Sequence, residues 1–226
     1  MPPENQVAVG GSSPFRIPLP ERRLNESPVS RAGLVGIQLT AEKTVPQIEL
    51  VPEDESPLTR KISTRINESG PNITLPKVLI ESLGYQGDTF DLLADDDGLR
   101  LIASANAGHD DPDIRATEAA FLSKQRGSKF EARVPESVAP PAPARGDSVQ
   151  LRIGAYSSRI MLALDFRASR GEDGVDITLD PNTGREEQAR VSFYVPSVIG
   201  KALQLGGARI MWGGVRGKHR VVGFEN

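Results

Sequence analysis

Residues able to do covalent or acid–base chemistry are few in this chain. It holds two histidines, His109 and His219, and no cysteine in 226 residues. Neither histidine sits in a nucleophile elbow or beside a serine and a carboxylate at triad spacing. Without cysteine there are no disulfides, thiolate metal sites or sulfur nucleophiles. Asp95, Asp96, Asp97 and Gly98 look like part of a calcium loop. The other oxygen ligands and the distal glutamate are missing, and Asp-Gly suits a hairpin turn. His109-Asp110-Asp111 is a lone histidine in an acidic stretch, a poor metal motif. "RGEDG" and "GARIMWGG" lack the Gly-Lys-Ser/Thr of a phosphate loop. The sequence therefore points away from an enzyme and implies no cofactor. Cationic chemistry remains. "WGGVRGKHR" gathers Arg216, Lys218, His219 and Arg220 near Trp212. Such a set can contact a phosphate backbone, or it is a solvated turn whose tryptophan packs inward.

The elements that must position these cations are short. Eighteen prolines and 22 glycines punctuate the chain, and aromatic residues make up 5%, so the core must rest on Val, Ile, Leu and Ala. These features predict a mainly β fold with short helices. Residues 1–33 are rich in Pro, Gly, Ser, Asn and Glu without apolar periodicity and read as a disordered tail. Residues 34–57 read as an added β-hairpin. The N-terminus shows no secretory signal, and no apolar run is long enough to cross a bilayer. With the absence of cysteine, this predicts a cytoplasmic protein with no membrane partner. Net charge is −3, which argues against a general nucleic-acid sponge. The distribution is uneven: residues 1–121 carry 11 Lys/Arg and 19 Asp/Glu, and residues 122–226 carry 16 and 11.

One stretch is more specific. "ITLPKVLIESLGYQGDTFDLL" runs from a strand into Pro76, through a one-sided helix, past Gly87-Asp88 and into a hairpin. Proline cannot donate to a sheet ladder, and its fixed φ suits the first turn of a helix. "ARVPESVAPPAPARGDSVQLR" and "FYVPSVIGKALQLGGARIMWG" repeat the pattern. Gly87, Gly146 and Gly207 each follow Pro76, Pro135 and Pro196 by eleven residues. In the middle copy "APPAPA" replaces the helix. "PQIELVPEDESP" has the strand-to-Pro52 step without a Gly-Asp sequel and reads as chance or a remnant.

These ββαββ units resemble the AbrB/MazE (SpoVT-AbrB) family of swapped-hairpin DNA-binding domains. The likeness is best over Ile62–Ala103, on "TRINESGPNITLP", "KVLIESLG", the "QGD" step and "FDLLADDDGLRLI". It is weaker over 128–164 and moderate over 175–224. The resemblance implies swapped-hairpin β-barrels, each closed by two interlocking units. The division is then unit 1 at 58–104, an acidic linker at 105–121, a degenerate unit 2 at 122–165, and unit 3 at 166–226 pairing with unit 2. Unit 1 is left to pair with another chain in a homodimer. The physics agrees, since one 45-residue unit cannot bury enough to stand alone.

The resemblance also implies a DNA face on the first strand and hairpin turn of a unit. Carried over by position, Arg60, Lys61, Arg65 and Asn67 lie there, and Lys77 starts the helix. Lys124, Arg126 and Lys129 occupy the equivalent turn of unit 2. With Arg216, Lys218 and Arg220 they make up the predicted contacts to double-stranded DNA, Arg suiting guanine edges and Lys phosphates. Glu81 and Ser82 depart from the basic helix of that family, and charged edge strands also serve simply to deter aggregation. The expected function is a dimeric DNA-binding transcription regulator. The alternative is a protein-interaction or assembly module, or an antitoxin, built on the same barrel, with residues 1–33 as the site for a protein partner.

Overall fold

A computed structural model describes residues 6–8, 15–29, 33–43, 45–63, 70–85, 89–94, 96–103, 120–122, 124–126, 129–134, 148–156, 158–165, 174–182, 190–206, 209–214 and 219–225. The fold is mainly β with three short helices among these residues. The first half contains β1 (Gln6–Ala8), β2 (Phe15–Pro18), α1 (Glu21–Asn25), β3 (Leu34–Glu42) and β4 (Val45–Pro52). After a 3-10 turn at Glu53–Glu55 come β5 (Thr59–Lys61), β6 (Asn72–Leu75), α2 (Lys77–Ser82), β7 (Thr89–Ala94) and β8 (Leu99–Ala103). Six strands form an antiparallel sheet in the order β1-β7-β8-β4-β3-β5, and β2 and β6 form a ribbon.

The pairing is reciprocal between two ββαββ motifs, 6–52 and 59–103. The first strand of each pairs with the third strand of the other, β1 with β7 and β5 with β3. Second strand meets second strand in β2–β6, and fourth meets fourth in β4–β8. Phe15 stands opposite Leu75 and Ile17 opposite Ile73. Ile17, Ile37, Ile48, Leu50, Ile62, Ile73 and Phe90 are fully buried in the core.

The second half repeats this plan. Its elements are β9 (Ala120–Leu122), β10 (Lys124–Arg126), β11 (Lys129–Val134), β12 (Ser148–Tyr156), β13 (Arg159–Asp165), β14 (Val175–Asn182), β15 (Arg190–Val195), α3 (Ser197–Ala202), β16 (Arg209–Gly214) and β17 (His219–Glu225). The sheet order is β10-β11-β15-β14-β12-β13-β17-β16-β9. From β14 to β9 it matches the order from β5 to β1 in the first half. β11–β15 corresponds to β2–β6, with Phe130 opposite Val195. Here β14 also pairs with β15, which joins the ribbon to the sheet.

Local chemistry sets the strand–proline–helix step. Pro76 and Pro196 are the N-caps of α2 and α3. Both helices end in a Schellman turn. Gly84 N–H donates to Glu81 O and Tyr85 N–H to Ile80 O; Gln204 N–H donates to Lys201 O and Leu205 N–H to Gly200 O. Gly84 takes φ +64° for this at no steric cost, whereas Gln204 takes φ +53° with a side chain.

The halves face each other. β4 packs on β12 and β3 on β13, α2 on β12 and α3 on β3, and α2 meets α3. The two hairpin turns touch, Ser158 N–H donating to Lys43 O at 2.8 Å and Lys43 N–H to Ser158 Oγ at 3.0 Å. This explains why Pro46, Gln47 and Ile48 are buried in succession, where a sheet with one wet face would alternate.

Five expectations change. Residues 15–29 of the supposed disordered tail form β2 and α1, with Ile17, Leu19, Leu24 and Val29 buried; composition missed them because their partner, β6, lies more than fifty residues on. Residues 34–57 are the second hairpin of a full motif rather than an addition, so the chain holds four motifs where three were expected. Unit 1 finds its mate at 6–52 in its own chain, which removes the ground for a homodimer through unit 1. The expected barrel is open: β1 and β5 end the six-stranded order without pairing to each other. Residues 120 and 121, placed in the acidic linker, begin β9. Pro135, the "APPAPA" segment, Gly87, Gly146 and Gly207 lie outside the described residues.

Two variants test the packing. A Cβ at Gly200 would lie 2.2 Å from Phe130 Cδ2, and Phe130 is buried. Gly200→Ala is expected to destabilise by about 1–3 kcal/mol, seen as a lower denaturant midpoint. Gln204→Gly relieves a left-handed residue, worth about 1–2 kcal/mol. It also removes the exposed Gln204 Nε2 hydrogen bond to Glu55 O, worth about 0.5–1 kcal/mol. A net stabilisation of about 0.5–1 kcal/mol is expected, read as a raised midpoint in the same assay.

Candidate nucleic-acid interface

Arg60 and Lys61 lie on β5, an end strand of the first sheet, in register with Val35 and Leu34. Lys61 is exposed. Arg60 is half-buried, and its Nη1 donates to Thr59 O at 2.9 Å. Beyond them Ile62 turns into the core at 0% exposure, and Ser63 and Asn72 exchange backbone hydrogen bonds of 2.8 and 3.0 Å. These contacts fix both ends of the connection between β5 and β6. Gly70, at φ +72° with open space where a Cβ would be, closes it. Arg65 and Asn67 lie in that connection, outside the described residues.

Lys77 is the first residue of α2, exposed, with Nζ 3.1 Å from Glu81 Oε1. This i,i+4 pair is solvent-exposed and weak, yet it directs the lysine along its own helix. Ser82, the other departure from a basic helix, is buried and donates to Leu79 O at 2.8 Å, so it presents nothing outward.

In the second half, Lys124 and Arg126 lie on β10 and Lys129 begins β11. Register places Lys124 opposite Glu131 and Arg126 opposite Lys129. Two cationic residues thus share the rung next to the turn. Like charges directly opposite each other disfavour a hairpin unless an anion relieves them. Arg220 lies on β17, opposite Leu164 and Gly214, and Trp212 on β16 opposite Val222. Leu122, two residues before Lys124, stands opposite Arg209, whereas Arg220 pairs with Gly214 at the other end of the β16–β17 ladder, so the register does not bring Arg220 to the Arg126–Lys129 rung. Arg216 and Lys218 lie outside the described residues.

The sequence reading missed Arg16, exposed on β2 opposite Thr74 and so beside β6. It also missed Arg22 and Arg23 of α1. Arg22 Nε and Arg23 Nη1 donate to the two Glu26 carboxylate oxygens at 2.9 and 2.8 Å. "FRIPLPERRL" was the available signal: it has the same strand–proline–helix form, with Pro20 as the N-cap of α1. Asp96, Asp97 and Gly98 form the β7–β8 turn, and a Cβ on Gly98 would lie 2.4 Å from Leu50 O. Among the described residues no three His, Asp or Glu side chains are grouped to hold a metal ion. His109 lies outside them. No helix is long and apolar enough to cross a membrane.

The arrangement can therefore place cations at the ends of β–β connections, of which the one between β5 and β6 leads into the β6–Pro76–α2 step. Comparison with protein-family models, with curated proteins and with solved structures finds no match.

One electrostatic feature is directly measurable. Hydrogen bonds from Arg22, then from Arg23, hold the Glu26 carboxyl below its ordinary value of 4.5. A depressed carboxyl gives its contribution fully above 4.5 and loses it as pH falls through the lowered value. An NMR pH titration of Glu26 is expected to show a midpoint below 4.5 that moves up towards 4.5 in Arg22→Ala.

Proposed function

We propose that the chain is a DNA-binding transcription regulator whose two halves are swapped-hairpin units of the AbrB/MazE kind, the first of them open between β1 and β5. The reciprocal pairing supports the swapped-hairpin assignment, because each motif's third strand completes its ladder only with the other motif's first strand. One observation carries the DNA assignment. In two separate motifs the connection entering the second strand is bordered by cations, Arg60 and Lys61 before β6, and Arg126 at the end of β10 facing Lys129 at the start of β11. Long cationic side chains at the ends of such turns suit phosphate contact, and Arg can add base-edge readout.

Two halves in one chain supply the pair of DNA faces for which a homodimer was expected. An antitoxin role through the N-terminal stretch fits less well, because Ile17, Leu19, Leu24 and Val29 are already buried in the chain's own core.

The double variant Arg60→Ala/Lys61→Ala tests this. Two lost phosphate contacts are expected to flatten the slope of log affinity against log salt by about 2 and to weaken duplex binding at moderate salt. Fluorescence anisotropy against labelled duplex reads both quantities. An unchanged slope would take β5 off the DNA face, and absence of salt-dependent binding by the parent chain would leave the interaction-module alternative.

A further inference from the structure

The contacts between the two halves have the form of an isologous interface. β4 meets β12 as β3 meets β13, α2 meets β12 as α3 meets β3, and α2 meets its own counterpart α3. Contacts of i with j matched by contacts of j with i are what a two-fold axis produces. In a homodimer such an axis would present identical groups twice, and the matching DNA would be a palindrome.

Here the frame is two-fold but the cations on it are not. Val35 stands opposite Arg60 and Leu34 opposite Lys61. At the same rungs of the second half, Val149 stands opposite Ile177 and Ser148 opposite Thr178. Arg60 and Lys61 are thus replaced by Ile177, which is buried, and Thr178, which is uncharged. The reverse comparison gives the same result. Phe130 stands opposite Val195 as Phe15 stands opposite Leu75, so the residues preceding Phe130 correspond to those preceding Phe15. Lys124, Arg126 and Lys129 precede Phe130, whereas Val9 to Pro14, "VGGSSP", contains no charge. Net positive charge borders the connection entering the second strand in the second motif of the first half and in the first motif of the second half, whereas around the β14–β15 connection Arg185 and Arg190 are offset by Asp180, Glu186 and Glu187. The axis that relates the halves relates neither cationic cluster to a cationic counterpart.

We infer that the chain reads a non-palindromic DNA duplex, one chain per duplex, with its two halves engaging unlike half-sites. This rests on the DNA-binding function proposed above. Duplicated halves supply the span of a dimer, and their different cations make the two ends of the site unequal.

The test is selection from a random duplex library by the full chain, followed by light scattering of the complex with the selected duplex. The expected result is a consensus without dyad symmetry and a mass of one chain per duplex. Palindromes made by duplicating either half of that consensus should bind at least about tenfold more weakly, as base mismatches in half a site would. A palindromic consensus, or two chains per duplex, overturns the inference and leaves DNA binding intact. Binding without any consensus does the same. Failure of any duplex to bind in a salt-dependent manner overturns the inference and the DNA-binding function together.

Discussion

The hydrogen-bonding edge of the third strand in each motif is the constraint from which the architecture follows. β3 has its hairpin partner β4 on one side, and on the other its N–H and C=O groups are met by β5 of the next motif. β7 has β8 on one side and β1 on the other. A motif by itself would leave that edge open and its second strand, β2 or β6, without its ribbon partner. Unpaired edges template association, and unpaired buried backbone groups are costly. Motifs are therefore stable in twos. Four of them satisfy one another inside this chain, whereas three would not have.

The second consequence concerns the face of each sheet turned to the other half. Val35, Ile37, Ile48, Leu50 and Val51 are all nearly or fully buried, although Val35 and Ile37 alternate along β3 while Leu50 and Val51 are adjacent on β4. Adjacent strand residues point to opposite faces, so β4 is covered on both. Some of the polar groups caught in these strands find partners, although Thr40 Oγ1 and Gln150 Oε1 have no hydrogen-bond partner among the described residues. Gln47 Nε2 donates to Glu42 Oε2 at 3.3 Å, and Gln150 Nε2 donates to Asp176 Oδ1. Gln204 Nε2 reaches Glu55 O across the halves at 3.2 Å.

Local signals were legible where a residue type has one backbone consequence. Pro76 and Pro196 fixed the entry to α2 and α3, Gly84 the exit from α2, and the Asp-Gly turn the β7–β8 hairpin. Pro20 makes the same step, but the flanking Pro, Gly and Ser residues drew the whole stretch into a tail. What holds β2 is Ile73 and Leu75 of β6, a tertiary partner that composition near Pro20 does not display. "VPQIELVP" reads as one strand of the 34–57 hairpin, and β3 and β4 form that hairpin with Pro46 and Pro52 opposite Ala41 and Val35, but its membership of a full motif was not legible. A doubly covered strand also loses the alternation by which strands are recognised. Among the site residues, the position of Lys61 on an exposed edge was legible. The rung shared by Arg126 and Lys129 was not, because it depends on the β10–β11 register. The Lys77–Glu81 pair could have been read from its spacing alone.

Covalent linkage of the halves also explains how they came to differ inside one frame. α2 carries Ile80 four residues after its proline, 1% exposed, and α3 carries Gly200 at that place. On the strand before each helix pair, Phe15 is only partly buried while Phe130 is 3% exposed, its ring filling the space a Gly200 side chain would need. Volume has been taken from the helix and the ring seated more deeply, a compensated exchange of the kind a close-packed core demands. In a homodimer every such exchange would appear in both copies and would have to suit both. In a single chain one half can adopt it alone. The same freedom acts on the surface, where Arg60 and Lys61 have no cationic counterpart at Ile177 and Thr178. It extends to overall charge, −8 over residues 1–121 and +5 over 122–226.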